Sequence, residues 1–362
     1  MTSIRAAVCR EFGKPLTIET VELADPGPGE IEVDVKACAI CHSDIIYADG
    51  GWGGVLPAVY GHEAAGVVSR IGAGVTRLKP GDRAVVTLIR SCGNCTYCGS
   101  GDRVLCEEVF ALDRATPLHD NAGSAITHGL KTGAFAEKVV VHESQAAPIP
   151  DDVPFEAASL VACGVLTGFG AAVNTAKVRP GATVAVVGCG GVGLNAVQGA
   201  AASGASKVIA IDLSDTRLEF ARACGATHGF NPRNVDAKAE VMKLTNGRGV
   251  NHVFVTVGVK AAFDGAFDYV TKNGEVVIVG MPPDGVFAAY DPSYLASWNQ
   301  RIVGSKMGNS QVARDVPMLI ELYRSGKLKL DELVSGRYPL ENINDAIAAT
   351  KRGDGVRHVV VM

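Results

Sequence analysis

A chain of 362 residues is long enough for two domains or one large one, and a hydrophobic content of 47% supplies a full core without disulfide support. The 38 acidic and 34 basic residues leave a net charge of −4 with no run of Lys or Arg, which argues against a nucleic acid or anionic membrane as partner. Met1 to Arg10 carries Arg5 and Arg10 and has no apolar stretch ending in a cleavage site, so no export signal is expected.

The N-terminal part alternates β-rich runs with Gly/Pro turns. Glu30–Ala39 (EIEVDVKACA) alternates apolar and polar residues and predicts a half-buried strand. Pro26-Gly27-Pro28-Gly29 and Lys79-Pro80-Gly81-Asp82 mark turns, and Ala64–Ile71, Arg83–Leu88 and Phe135–Val141 are further predicted strands of an irregular, barrel-like domain. Within this region Cys92, Cys95, Cys98 and Cys106 fall in fifteen residues, separated by turn formers such as Gly93, Asn94, Gly99 and Gly101. The spacing Cys-x-x-Cys-x-x-Cys-x7-Cys suits a tetrahedral thiolate cage around Zn²⁺. Such a cage has no corner left for substrate, so it is structural. A surface disulfide pair is the alternative, disfavoured because a chain of this size needs no such staple.

Two uncharged stretches follow, Ala157–Ala176 and Pro180–Ser206, each long enough to cross a bilayer. The first holds Cys163, Gly164, Gly168, Gly170 and Asn174 and is expected to be a core helix of small residues. The second holds seven glycines, Asn195 and Gln198, and is expected to be a buried strand, a glycine turn and a packed helix. No membrane association is expected; the chain is predicted to be soluble and cytoplasmic, where thiols stay reduced and available for metal.

From Arg179 onward strands alternate with helices. Thr183–Val187, Lys207–Asp212, Asn251–Val257, Gly274–Gly280 and Arg301–Lys306 are predicted strands. The glycine turn opens a helix running through Ser203, and Ser214 caps another reaching Cys224. The pattern predicts an α/β fold with a doubly wound parallel sheet of six strands. The tail from Val312 holds a helix and then strands at Arg337–Leu340 and Val356–Val361, closer in texture to the first region.

Gly188-Cys189-Gly190-Gly191-Val192-Gly193 fits G-x-G-x-x-G between a strand and a helix, where glycines allow a tight turn and close approach of a pyrophosphate to the helix N-terminus. Asp212, at the end of the next strand, is placed to accept hydrogen bonds from the adenosine ribose hydroxyls. It would repel a 2′-phosphate, favouring NAD over NADP.

Cys41 in Cys41-His42-Ser43-Asp44, His62 in Gly61-His62-Glu63 and Cys163 in Ala162-Cys163-Gly164 remain, and no spacing by itself gathers them. With CHSD (41–44), GHEAAG (61–66), the four-cysteine lobe, GCGGVG and Asp212 together, the chain resembles the zinc-dependent medium-chain alcohol dehydrogenases over nearly its whole length, near their thiol-dependent formaldehyde dehydrogenase branch (class III). The resemblance implies a GroES-like β-rich catalytic domain split around a Rossmann domain: 1–164, 165–306 (the NAD-binding domain) and 307–362, with the active site in the cleft. By the same likeness, Cys41, His62 and Cys163 hold a catalytic zinc and leave the fourth corner open. Asp44 orients His62, and Glu63 approaches the metal during ligand exchange.

The resemblance further implies that zinc lowers the pKa of a bound alcohol, that hydride passes to NAD, and that Ser43 takes the proton. Relatives carry a histidine three residues past this hydroxyl to relay the proton; here that position is Ile46, so the exit is expected through the cofactor ribose and water or through His42. His42, Arg357 and Arg217 match cofactor contacts, as do Gly188, Gly190, Gly191, Val192, Gly193, Thr167, Val257, Val279 and Met281. Trp52, Leu88, Phe110, Phe135 and Met307 match positions that shape the substrate pocket, or serve simple core packing. An apolar or aromatic primary alcohol, or its aldehyde, is the expected substrate; a mycothiol- or glutathione-linked formaldehyde adduct is the alternative. The family likeness implies a homodimer, or a tetramer, pairing through the edge strand at Arg301–Lys306.

Overall fold

Apolar residues at both faces of Glu30–Ala39 put that strand inside a seven-stranded sheet rather than at its surface. The computed structural model describes residues 1–362 as two units, Met1–Cys163 with Gln311–Met362, and Gly164–Ser310. In the first, Glu30–Ala39 pairs antiparallel with Glu63–Ile71, Lys138–His142 and Arg357–Val361. The strand is therefore more buried than its alternation suggested. Glu32, 1% exposed, is accommodated because Arg70 and Lys138 pair with its carboxylate and the Ser69 hydroxyl donates to it. Arg357–Val361 closes the first unit by lying beside residues 37–39, and Val334–Pro339 runs parallel to it on the outer side. The β-rich texture of the tail thus reflects direct pairing with the first region.

A closed barrel of short strands completes this unit: Thr2–Cys9, Thr17–Leu23, Leu118–His119, Ala125–His128 and Ala58–Val59. The strand expected from Phe135 begins only at Lys138. Phe135 instead bridges two elements, its N–H donating to the Tyr60 carbonyl (2.8 Å) and its carbonyl accepting from Ala7 N–H (2.8 Å).

In the second unit six parallel strands run in the order His228–Phe230, Lys207–Ile211, Thr183–Val187, Val250–Val255, Val270–Ile278, Arg301–Gly304. His228–Phe230 is the strand whose position escaped the sequence pattern: three residues with a central glycine carry no periodicity. The strand placed at Gly274 starts at Val270, and left-handed Asn273 (φ 58°) breaks its pattern from within. Ser214 caps the helix Asp215–Ala223, its hydroxyl accepting from Arg217 N–H at 3.4 Å.

The uncharged run before the first of these strands is helical but not uniform. Phe155–Leu160 and Leu166–Gly170 are α-helical, and Val161–Val165 and Ala171–Thr175 widen into π turns. Phe155–Thr175 is long and apolar enough to cross a membrane, yet 89% of its apolar window is buried inside the protein, as its small residues permit.

Candidate metal and dinucleotide sites

The chain turns into the helix His42–Ala48 directly after Cys41, and that turn is set by one side chain. Asp44, 2% exposed, accepts from Cys41 N–H at 3.1 Å through Oδ2, and from Gly61 N–H at 2.9 Å through Oδ1. The same Oδ1 lies 2.9 Å from His62 Nδ1. A single carboxylate thus ties the Cys41 and His62 segments together and fixes the imidazole with its Nδ1 proton on Asp44. Nε2 then points the other way, buried and without a hydrogen-bond partner.

That orphaned nitrogen belongs to a cluster. One donor atom each from Cys41, His62, Glu63 and Cys163 lies within 4.8 Å of the others, and all four residues are buried. Leaving a bare nitrogen and two thiols in such a place is costly unless a cation collects them. Two sulfurs and one imidazole are a donor set suited to Zn²⁺ with an open position. A hydrogen bond with Cys163, aided by His62, holds the Cys41 thiol well below its usual range against the effect of burial. Burial opposes the charge on His62, but Asp44 outweighs it and raises the imidazole well above its ordinary value. Burial pushes the Glu63 carboxyl upward, while Arg357 pulls it back.

Arg357 does more here than its sequence match suggested. It is 6% exposed, and its guanidinium lies 2.6 Å from the Glu63 carboxylate, so its first contact is this buried ion pair rather than open solvent. The sequence held no signal for the pair, whose members stand at opposite ends of the chain. Ser43 and Ile46 are half-buried on the helix that Asp44 starts, and His42 is exposed.

Four thiols form the second cluster. The sulfurs of Cys92, Cys95, Cys98 and Cys106 lie within 4.8 Å of one another, with Cys92–Cys98 and Cys95–Cys106 both at 4.0 Å. Those separations exclude disulfides, whose S–S length is about 2.05 Å. They approach the roughly 3.8 Å edge of a tetrahedron built on Zn–S bonds of about 2.3 Å. Backbone amides already face the sulfurs: Asn94 and Cys95 donate to Cys92 Sγ (3.4 and 3.3 Å) and Cys92 to Cys106 Sγ (3.3 Å). The amide of Glu107 is the main cause lowering the Cys95 thiol to about 6. The lobe suits an ion that takes four thiolates.

In the second unit, Gly188 sits at φ 93°, where a Cβ would come within 2.3 Å of Val257 Cγ1. A Cβ on Gly193 would meet the Gly188 carbonyl at 1.8 Å, so the helix can lie this close to the turn only with no side chain at 193. A Cβ on Gly190, by contrast, would meet nothing within 4 Å, so the backbone faces open space at the N-terminus of the helix Gly191–Ala202. Room, free approach and a helix N-terminus fit a pyrophosphate. Asp212, 8% exposed, holds this turn directly: Oδ2 accepts from Cys189 N–H at 2.6 Å and Oδ1 from Ser214 N–H at 2.9 Å. The Asp212 carboxylate thus braces the turn and keeps lone pairs beyond those two bonds.

The other matched positions divide. The Thr167 hydroxyl donates to Met307 Sδ at 3.5 Å, and Met307 is buried with a left-handed backbone. Val257 is half-buried beside Gly188, Val279 is buried and Met281 is exposed, while Arg217 is half-buried on the first helical turn past Ser214. Trp52 stands edge-on to Tyr47 (5.2 Å between ring centres), and Leu88 is half-buried just past the strand Arg83–Thr87. Phe110 packs edge-on against His142 (4.8 Å). Phe135, at 1% exposure, belongs to the apolar core of the first unit, in keeping with the core-packing alternative for these positions.

Residues 27–151 match the family described as alcohol dehydrogenase GroES-like domain, and residues 191–324 the family described as zinc-binding dehydrogenase. Alcohol dehydrogenase 1 of Pisum sativum is 36% identical over 99% of this chain and 97% of its own length. An NDMA-dependent alcohol dehydrogenase of Amycolatopsis methanolica is 36% identical over 99% and 98%. The crystal structure of benzyl alcohol dehydrogenase from Acinetobacter calcoaceticus superposes with a TM-score of 0.93 at 32% identity, covering 100% of both chains. The fold therefore combines a GroES-like domain with a Rossmann-like one, and the chain belongs to the zinc-binding medium-chain alcohol dehydrogenase family.

Proposed function

We propose that this alcohol dehydrogenase oxidises apolar, and specifically aromatic, primary alcohols with NAD, or reduces the matching aldehydes with NADH. The observation that carries the reading is the buried gathering of Cys41, His62 and Cys163 around an orphaned imidazole nitrogen, with Asp44 and Glu63 beside it. Cys41, His62 and Cys163 would hold a catalytic zinc, and Cys92, Cys95, Cys98 and Cys106 a structural one. When bound, the catalytic ion supplies Lewis acidity that favours loss of the alcohol proton. Asp44 keeps the His62 ring aligned, and Ser43 Oγ accepts the proton released from the alcohol. Ile46 carries no proton onward, which leaves the exit to the cofactor ribose and water or to His42. Gly188, Gly190, Gly191, Val192 and Gly193 cradle the pyrophosphate, with Arg357, Arg217 and His42 supplying cation charge. Asp212 grips the adenosine ribose and repels a 2′-phosphate.

Trp52, Leu88, Phe110 and Met307 are the residues proposed to meet the substrate, and the likeness to a benzyl alcohol dehydrogenase supports an aromatic one. The test is a cofactor-reduction screen over alkyl alcohols, benzylic alcohols, and formaldehyde with and without low-molecular-weight thiols, run with NAD and with NADP. Benzylic alcohols with NAD should give the highest kcat/KM. Thiol-dependent formaldehyde turnover would replace the substrate reading, and faster NADP reduction would remove the role of Asp212.

The domain limits 1–164, 165–306 and 307–362 and a cytoplasmic location complete the reading. A homodimer is proposed through Arg301–Gly304, which ends the parallel sheet and carries exposed Ile302. Light scattering should give twice the chain mass, or four times for a tetramer, and Ile302→Asp should shift the protein toward monomer. A monomeric wild-type chain would overturn the pairing.

A further inference from the structure

Arg90 is the last residue of the apolar run Val85-Val86-Thr87-Leu88-Ile89-Arg90, and its side chain is fully buried. Nothing in the reaction described above uses it. A guanidinium taken out of water must satisfy its donors, and here they fan out in three directions. Nε donates to Gln145 Oε1 at 2.7 Å, Nη1 to Asp113 Oδ1 at 3.0 Å and Nη2 to the Lys131 carbonyl at 3.0 Å. Gln145 Nε2 donates to that same carbonyl at 2.9 Å and to the Thr87 carbonyl at 2.9 Å. The Lys131 carbonyl is thus pinned twice, from two buried side chains.

The residue being pinned is strained. Leu130 (φ 51°) and Lys131 (φ 60°) are consecutive non-glycine residues in the left-handed region, which side chains disfavour and which persists only where the surroundings enforce it. This turn has a particular neighbour. Thr127 and His128 pair with Ala58 and Val59, and Thr127 N–H donates to the Pro57 carbonyl at 2.8 Å. On the far side of the turn, Ala134 N–H donates to the Gly61 carbonyl at 2.8 Å and Phe135 N–H to the Tyr60 carbonyl at 2.8 Å. The strained turn therefore brackets the chain from Pro57 to Gly61, which leads directly into His62.

We propose that Arg90 is a positioning residue: by fastening the left-handed turn at Leu130–Lys131, it holds the segment that delivers His62 to the metal cluster. Three divergent donors on one rigid plane are needed, which a lysine ammonium does not reproduce. The proposal rests on His62 acting in alcohol oxidation, as proposed above.

The test is a mutant cycle on the holoenzyme, with Arg90→Gln, Lys131→Gly and the double variant, read in Tm and in steady-state kinetics. Arg90→Gln should lower Tm by roughly 5–10 °C and kcat at least tenfold, with KM within about threefold. Glycine adopts the left-handed turn without strain, so Lys131→Gly in the Arg90→Gln chain should recover at least half of both losses on a logarithmic scale for kcat. If Arg90→Gln does not fold, Arg90→Lys replaces it, with a smaller loss and the same rescue. Additive effects, or a Tm loss with unchanged kcat, would overturn the proposal. If the wild-type chain oxidises no alcohol, the functional reading fails, while the cycle in Tm still decides whether Arg90 holds the turn.

Discussion

Cys163→Ala should lower kcat/KM for alcohol oxidation by at least about 10³-fold while leaving a folded protein with one zinc per chain in place of two. The expectation follows from how the site is built. Cys163 lies at 5% exposure in a helical run whose neighbours are almost all buried, so losing one sulfur opens only a small void. A truncation of that size costs about 1–2 kcal/mol, a Tm change of a few degrees. The donor set suffers far more. Cys41 and His62 remain joined through Asp44, but two donors and the Glu63 carboxylate, already paired with Arg357, do not make an equivalent site. Turnover, metal content and Tm measured on one preparation separate these effects. Wild-type turnover in a folded Cys163→Ala protein, or an unchanged metal ratio, would remove the proposed catalytic centre.

The two clusters differ in how visible they were beforehand, for a physical reason. The four-cysteine lobe closes on itself within fifteen residues, so spacing alone limits what it can be. Cys41, His62 and Cys163 come from a helix start, the residue before a sheet strand, and a helical run, and only the folded chain brings them together. Family resemblance supplied that grouping; periodicity did not. The Rossmann-like half was readable because parallel strands buried on both faces are continuous apolar runs, and its one unplaced strand, His228–Phe230, is too short to be one. Two polar arrangements stayed hidden, the Glu63–Arg357 ion pair and the Arg90 network. In sequence each is an ordinary charged residue, and only burial, which comes from tertiary packing, changes its meaning. Glu32 shows the same effect inside a strand whose alternation promised a solvated face.

Removing a ligand from the four-thiol lobe should produce the opposite pattern to Cys163→Ala. Cys98 is the most buried of the four, at 4% exposure, and Cys98→Ala leaves three sulfurs that no longer close a tetrahedron. Structural zinc contributes about 10–16 kcal/mol to the folding of small metal-bound peptides. The lobe has little else to hold it, since only Cys98 and Val104 are buried among residues 92–106. Gln311 Nε2 donates to the Gly101 carbonyl at 3.0 Å, and at the edge of the lobe Ser91 N–H donates to Ser144 Oγ at 3.0 Å. Releasing the lobe should therefore expose residues 92–106 to rapid amide exchange and lower Tm on the order of 10 °C. At temperatures well below the new transition, kcat/KM should stay within about threefold of wild type, because Cys41, His62 and Cys163 keep their own supports. The two variants together form a double dissociation, with turnover lost at one cluster and stability at the other. A Cys98→Ala protein as stable and as protected as wild type would mean that the four thiols hold no structural ion, whatever their spacing suggests.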